Sequence, residues 1–270
     1  MKKKIKQIAK IILSKKLNEI QYFEKKLAAN DVIKNFKKID DLFYEVELTS
    51  DDKVLVRNQK HSDYSVFKQI FNEQEYGLIL KTFLLNNNFL GEKIIIDAGA
   101  NVGYTTSYFS IHLDNVRIFA IEPSEKNAEV FLQNASLLKN KNNVALYQNA
   151  LSDKENQFFE TESNFRDGRD WSITTKEVEN GTLKGITIDE IIRNNDLNYI
   201  SLLKIDIEGA ERFIFTKENN LSFLNKTQII AIEIHDEFNI RETIHSILKE
   251  HQFFLFESGE LTIGINKSML

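Results

Sequence analysis

Short β-branched apolar runs alternate with amphipathic stretches through most of the C-terminal two thirds of the chain, and this alternation sets the expected elements. Ile94-Ile95-Ile96 is continuous rather than alternating, as in a parallel strand buried on both faces. The pattern predicts a strand near 94 to 98, a helix over 102 to 112, a strand over 117 to 121, a helix over 124 to 140 and a strand over 144 to 148. After a gap it predicts a helix over 188 to 194, a strand over 200 to 206, a helix over 210 to 218, a strand over 228 to 234 and a helix over 239 to 251. The segments FFLFE and LTIGI, flanking Ser258 and Gly259, read as a closing hairpin. Strands alternating with helices predict an α/β, doubly wound sheet.

Ahead of this core, residues 2 to about 39 contain neither Pro nor Gly and read as two helical pieces rich in Lys and aliphatics. LFYEVEL and KVLVRN, on either side of Thr49-Ser50-Asp51-Asp52, alternate like a β-hairpin, and Ser62 and Asp63 supply cap chemistry for a helix through Phe71. Residues 1–90 are thus an N-terminal helical and hairpin appendage to a domain over 91–270. Between Asn149 and Gly185 the periodicity weakens around SNFRDGRDWS. A stretch this long inside a compact domain is read as a substrate-side insertion, 149–185.

Composition narrows the classes. A net charge of −5 gives no basic face for general nucleic-acid binding. The absence of cysteine removes disulfides, thiolate nucleophiles and Cys-ligated zinc, so any metal must use oxygen or imidazole. Lys6 and Lys10 interrupt the opening apolar run, and no stretch reaches the roughly 18 apolar residues of a membrane span. A soluble, cytoplasmic protein is expected. Ile5, Ile8, Ile11 and Ile12 recur at helical spacing among lysines, so this first helix either packs on its own domain or a second copy, or lies peripherally on an anionic membrane face.

The candidate chemistry begins with IIIDAGANVGYTT, residues 94–106. Asp97 ends a buried strand, and ligands in open α/β sheets bind beyond the carboxyl ends of strands. Gly99 and Gly103 let backbone approach a ligand and a helix approach the strand, while Asn101 is the non-Gly residue best suited to a left-handed conformation. Glu122 closes the next apolar run and is placed to accept both hydroxyls of a ribose. Acid, turn and second acid together resemble the S-adenosylmethionine site of class I methyltransferases. LLKIDIEGAE, residues 202–211, resembles the hallmark of the FkbM-type methyltransferases, which methylate oxygen, and the resemblance extends over residues 54–235.

That resemblance implies a Rossmann-like sheet of seven strands whose last strand inserts antiparallel, and S-adenosyl-L-methionine as cofactor. It implies that Asp97 orients the cofactor's ammonium directly or through water, that amides of Gly99 to Gly103 face its carboxylate, and that Asn149 and Ala150 meet the adenine edge, while Tyr104 either lines the methionine end or is an aromatic of the core. Acceptors in the family are hydroxyls of sugars, glycolipids, polyketides and other small molecules, which makes a bacterial glycan pathway the preferred setting.

Transfer to an unactivated hydroxyl needs a base. Asp206 and Glu208 stand at the end of the 200 to 206 strand and would point the same way if the strand persisted. His235 and Asp236 end the neighbouring strand and are expected in the same mouth. Asp206, Glu208 and His235 therefore form the catalytic candidates, for metal-free base chemistry or for holding Mg²⁺. Glu233 is either a buried structural carboxylate or a catalytic one, and Lys204, in an apolar strand, is expected to pair with an acid such as Glu233. Arg166, Arg169 and Trp171 in the insertion suit a sugar or anion, or are simply solvated. His61, His112, His245 and His251 are expected to be structural. Two rivals remain: a nicotinamide-dependent oxidoreductase, which the missing G-x-G-x-x-G disfavours, and a non-catalytic cofactor-binding scaffold.

Overall fold

The computed structural model describes residues 18–86, 89, 91–162, 174–179 and 181–269. The basic helix expected before residue 18, and Arg166, Arg169 and Trp171, lie outside these. Helix α1 (Glu19–Ala28) begins with a capping box between Asn18 and Gln21. It ends where the Asn30 side chain turns back to accept the Val32 amide. In place of the second helical piece expected through residue 39, the chain forms strand β1 (Ile33–Lys38), which pairs antiparallel with β2 (Phe43–Leu48). The periodicity misled because β1 is a lysine-rich edge strand, whose solvated positions blunt the sheet edge and mask the alternation. Strand β3 (Lys53–Arg57) completes the expected hairpin, so the appendage carries three antiparallel strands in the order β1-β2-β3.

Helix α2 (Asp63–Phe67) starts where expected, but the Ser62 side chain makes no cap bond. Asp63 instead takes the guanidinium of Arg57 at 2.7 Å, with both side chains buried. The helix widens into a π-turn over Lys68–Asn72, and the apolar stretch after it forms α3 (Gly77–Leu85), an element the hydrophobic pattern did not mark.

From here the alternation holds: β4 (Lys93–Ala98), α4 (Tyr104–His112), β5 (Val116–Ile121), α5 (Glu125–Ser136) and β6 (Val144–Tyr147). The insertion is more ordered than expected. Its strands β7 (Ala150–Leu151), β8 (Phe158–Glu162), β9 (Thr174–Glu177) and β10 (Leu183–Ile186) form a small sheet in the order β7-β10-β8-β9. Then come α6 (Ile188–Asn194), β11 (Ile200–Ile205), a helix shorter than expected, α7 (Glu211–Ile214), β12 (Thr227–Glu233), α8 (Arg241–Glu250), β13 (Phe253–Ser258) and β14 (Leu261–Asn266).

The main sheet has seven strands in the order β13-β14-β12-β11-β4-β5-β6. Strands β12, β11, β4, β5 and β6 are parallel, and β14 runs antiparallel to β12. This is the Rossmann-like sheet with an antiparallel last strand. Because the chain leaves β4 toward β5 and later returns to β11 on its other side, the order reverses between β4 and β11, where open α/β sheets bind ligands.

The appendage is fastened to the face of this sheet rather than set beside it. Val54, Val56 and Phe67 belong to the same buried apolar cluster as Tyr104, Phe109 and Ile95. Polar bonds fix the register: the Leu55 amide donates to Asn134 Oδ1 at 2.7 Å, and Tyr104 Oη donates to the Leu55 carbonyl at 2.8 Å. Tyr104 is thereby drawn partly into the core.

Candidate active site

At the switch point, Lys204 of β11 stands opposite Asp97 of β4 in the parallel register, and the Asp206 amide donates to the Ala98 carbonyl at 3.1 Å. The two strand ends approach so closely that a Cβ on Gly99, which has φ +80°, would sit 1.7 Å from the Asp206 carbonyl oxygen. Only glycine satisfies both the left-handed backbone and the contact. Asn101 follows with φ +50°, as its residue type suggested, and turns its amide to Glu122 Oε2 at 2.8 Å.

Beyond these strand ends lies a cavity of about 420 Å³, within the range that encloses one ligand of cofactor size. Of the expected cofactor residues, Gly99, Asn101, Tyr104, Glu122 and Ala150 line it. Gly103 stands behind it at the start of α4, against the Phe131 ring, and Asn149 turns its amide to the Lys184 carbonyl. Asp97 also stays behind the wall. It is fully buried, takes the Thr106 hydroxyl at 2.7 Å and lies 3.3 Å from the Lys204 ammonium. The expected pairing of Lys204 with Glu233 is thus replaced by one with Asp97 and, at 3.8 Å, Asp206. Burial alone would lower the Lys204 pKa, but the charges of Asp97 and Asp206 outweigh it and the net shift is upward.

Glu122 is placed to receive hydrogen bonds. Its two oxygens accept the Asn101 and Ser124 amides at 2.8 and 2.9 Å, and a carboxylate has about four acceptor positions. The Asn127 side chain bonds Glu122 as well, which leaves capacity for a ribose hydroxyl. Burial pushes its pKa up to about 7, with those amides acting in the opposite sense. The glycine turn, the left-handed Asn101 and this acid fit a nucleoside cofactor.

The rest of the lining is strongly acidic. Asp206, Glu208, Glu233, Glu75 and Glu260 all line the cavity. Strand β11 ends at Ile205, so Glu208 reaches the cavity not by strand alternation but through a left-handed backbone, φ +53°, beside Gly209. His235 lies behind it, 1% exposed, with Nδ1 3.1 Å from Glu211 Oε1 and Nε2 3.4 Å from Glu208 Oε2 and 3.8 Å from Glu233. Although burial lowers its pKa, hydrogen bonds to Glu208 and Glu211 hold it at about 10, as an imidazolium at neutral pH. Burial, then the Asp206 charge, pushes Glu233 up to about 8, and burial pushes Glu75 up to about 7. Asp236 is a correction: it pairs with Arg241 at 2.7 Å and does not line the mouth.

A second, more open cavity of about 940 Å³ runs between residues 64–75 and the β13–β14 turn, and meets the first at Gln69, Glu75 and Glu260. Gln69 bridges the join, donating to Glu75 Oε1 at 2.9 Å. Neither acid was found by sequence reasoning. No motif surrounds them. Glu211 was within reach, because it closes the LLKIDIEGAE segment, but nothing in its spacing announced that it faces His235.

Residues 97–255, more than half of the chain, match the methyltransferase FkbM domain. The chain belongs to the FkbM methyltransferase family. This makes the FkbM chain an S-adenosylmethionine-dependent methyltransferase and excludes the nicotinamide oxidoreductase as its class. No curated protein matches it. Solved structures similar to it include the Methanococcus jannaschii fibrillarin pre-rRNA processing protein, at 13% identity, TM-score 0.41, covering 86% of this chain and 97% of that one. The precorrin-6y C5,15-methyltransferase of Geobacter metallireducens aligns at 14% identity, TM-score 0.40, over 70% and 84% of the two chains. TrmK of M. capricolum in complex with S-adenosyl-homocysteine aligns at 12% identity, TM-score 0.38, over 71% and 67%. Among the described residues no helix is long and apolar enough to cross a membrane.

Proposed function

We propose that this FkbM methyltransferase methylates a hydroxyl of a sugar, glycolipid or similar small molecule, in a bacterial glycan pathway. The observation that carries the proposal is a single cavity lined both by the glycine turn with Glu122 and by carboxylates, Asp206, Glu208 and Glu233 among them. The cofactor, when bound, supplies an electrophilic methyl group. The residues must then orient a hydroxyl and take its proton. Asp206 ends β11 beside the glycine turn and receives that proton, while Glu208, held against the His235 imidazolium, and Glu233 accept hydrogen bonds from neighbouring hydroxyls. Carboxylates and amides along the outer cavity, Glu75, Gln74 and Gln69 among them, suit the rest of a hydroxyl-rich acceptor.

A second reading of the same residues has an observation behind it. Asp206, Glu208 and His235 each offer a ligand atom within 4.8 Å of the others, and Glu211 at Nδ1 is the kind of partner that orients a metal-bound imidazole. The set would hold Mg²⁺ with His235 neutral, since an imidazolium has no lone pair to give.

Labelled S-adenosylmethionine and a panel of sugar and glycolipid acceptors test both. Asp206→Asn is expected to lower turnover about 10²-fold while cofactor affinity stays within a few-fold. Activity that survives chelation assigns Asp206 as the direct base, and activity lost with EDTA and restored by Mg²⁺ assigns it to the cation. Normal turnover by the Asn variant removes Asp206 from the chemistry altogether.

A further inference from the structure

Lys204 is the residue of this site that the chemistry above leaves without a task. It lies in β11, whose six residues are all buried, and is itself 2% exposed. An ammonium there is costly unless its surroundings compensate, and a Met of similar length would pack at no such cost. The compensation comes from four oxygens, drawn from both halves of the site. Lys204 Nζ donates to the Gly99 carbonyl at 2.6 Å and the Ala98 carbonyl at 3.3 Å, lies 3.3 Å from Asp97 Oδ1, and lies 3.8 Å from Asp206 Oδ2. The first three belong to the end of β4 and the turn that cradles the cofactor. The fourth is the carboxylate on the acceptor side. Lys204 also lines the cavity.

We infer that Lys204 is a positioning residue that sets the cofactor turn and the Asp206 carboxylate with a single ammonium, and that its charge balances the Asp97 and Asp206 pair against the cationic sulfur of the cofactor. The carbonyl of Gly99 is held inward by Nζ, which fixes the turn that presents the Asn101 amide to Glu122. Asp97, out of reach of the cavity, acts on the cofactor through Lys204. Removing the cation has two separable effects. The turn loses its tether, which weakens any ligand seated on it, and the cavity becomes more negative, which favours a sulfonium over a neutral thioether.

The inference rests on the cavity being the cofactor site, and the two can fail separately. Titration calorimetry of the full-length protein with S-adenosylhomocysteine and with S-adenosylmethionine needs no acceptor. In Lys204→Met, S-adenosylhomocysteine affinity is expected to fall about tenfold or more through loss of charged hydrogen bonds. The affinity ratio should shift toward S-adenosylmethionine by about threefold or more because a nearby cation has gone. Lys204→Arg keeps the charge, but its planar fork cannot satisfy the same four oxygens. It should weaken both ligands and leave the ratio alone, and it decides the matter if the Met variant does not fold. A folded Met variant with wild-type affinity for S-adenosylhomocysteine overturns the tether, and equal loss for both ligands overturns the charge balance. Wild-type protein that binds neither ligand sinks the reading of the cavity and this inference with it.

Discussion

Glu122 and Glu233 are both acids whose pKa rises in the fold through burial, yet they are held differently. Glu122 is gripped by two backbone amides, so its geometry is fixed whatever its charge. Glu122→Ala is expected to weaken S-adenosylhomocysteine binding by about 1.5 to 3 kcal/mol, and an unchanged calorimetric titration would take it out of the site. Glu233 faces Asp206, Glu208 and Glu260, with His235 acting in the opposite sense. A carboxyl whose pKa rises on folding, here to about 8, binds its proton more tightly in the native state. Its charge therefore costs stability above that pH, and the cost fades as the pH falls from 8 toward the ordinary carboxylate range. Glu233→Gln should gain on the order of 2 kcal/mol in urea denaturation at pH 9 and nothing at pH 4. Equal curves at pH 9 would contradict it. Which acids matter was partly legible: Asp97, Glu122 and Asp206 stand at strand ends that the apolar runs mark. That Lys204 pairs with Asp97 rather than Glu233 was not, because β11 has β4 on one side and β12 on the other, and the choice depends on which way a side chain leans in the assembled sheet.

At the scale of elements, the alternation of the core was readable because strands buried on both faces are written as unbroken Ile and Val, a signal that surroundings hardly alter. The insertion and β1 were not: β1 is an edge strand with polar residues on exposed positions, and the insertion strands run only two to five residues, too short to show a period. Nor could the turn after β11 be read from a period of two, because Glu208 takes a left-handed backbone there. Among the described glycines, Gly99 has the least room for a side chain, because an added Cβ would meet the Asp206 carbonyl. Gly99→Ala forces a Cβ into a backbone carbonyl at a positive φ, which costs more than the usual Gly-to-Ala gain of about 1 kcal/mol can offset. The variant is expected to lose S-adenosylhomocysteine binding by an order of magnitude or more, seen in calorimetry of protein with a native circular dichroism spectrum. Full affinity would mean the strand ends can part without harm.

Across the whole molecule, the appendage is joined to the core by apolar packing and by polar bonds, one of them made by Arg57, which forms a buried ion pair with Asp63 inside the appendage. Arg57 also reaches Asn127 of α5 at 3.1 Å, so the pair sits where β3 meets the sheet's helical face. Asp63→Ala leaves that guanidinium buried without its carboxylate and should cost about 3 to 5 kcal/mol of stability. A chemical denaturation midpoint that does not move would show that the Arg57–Asp63 pair adds nothing to stability.

Glu75 and Glu260, at the junction of the two cavities, come from chain segments before and after residues 97–255, the span shared with the family. The outer part of the proposed acceptor site is therefore drawn from polypeptide outside that span, while Asp206, Glu208 and Glu233 lie within it. On the proposed reading, substitutions at these two acids would change which molecule is methylated while leaving Gly99, Asn101 and Glu122 in place.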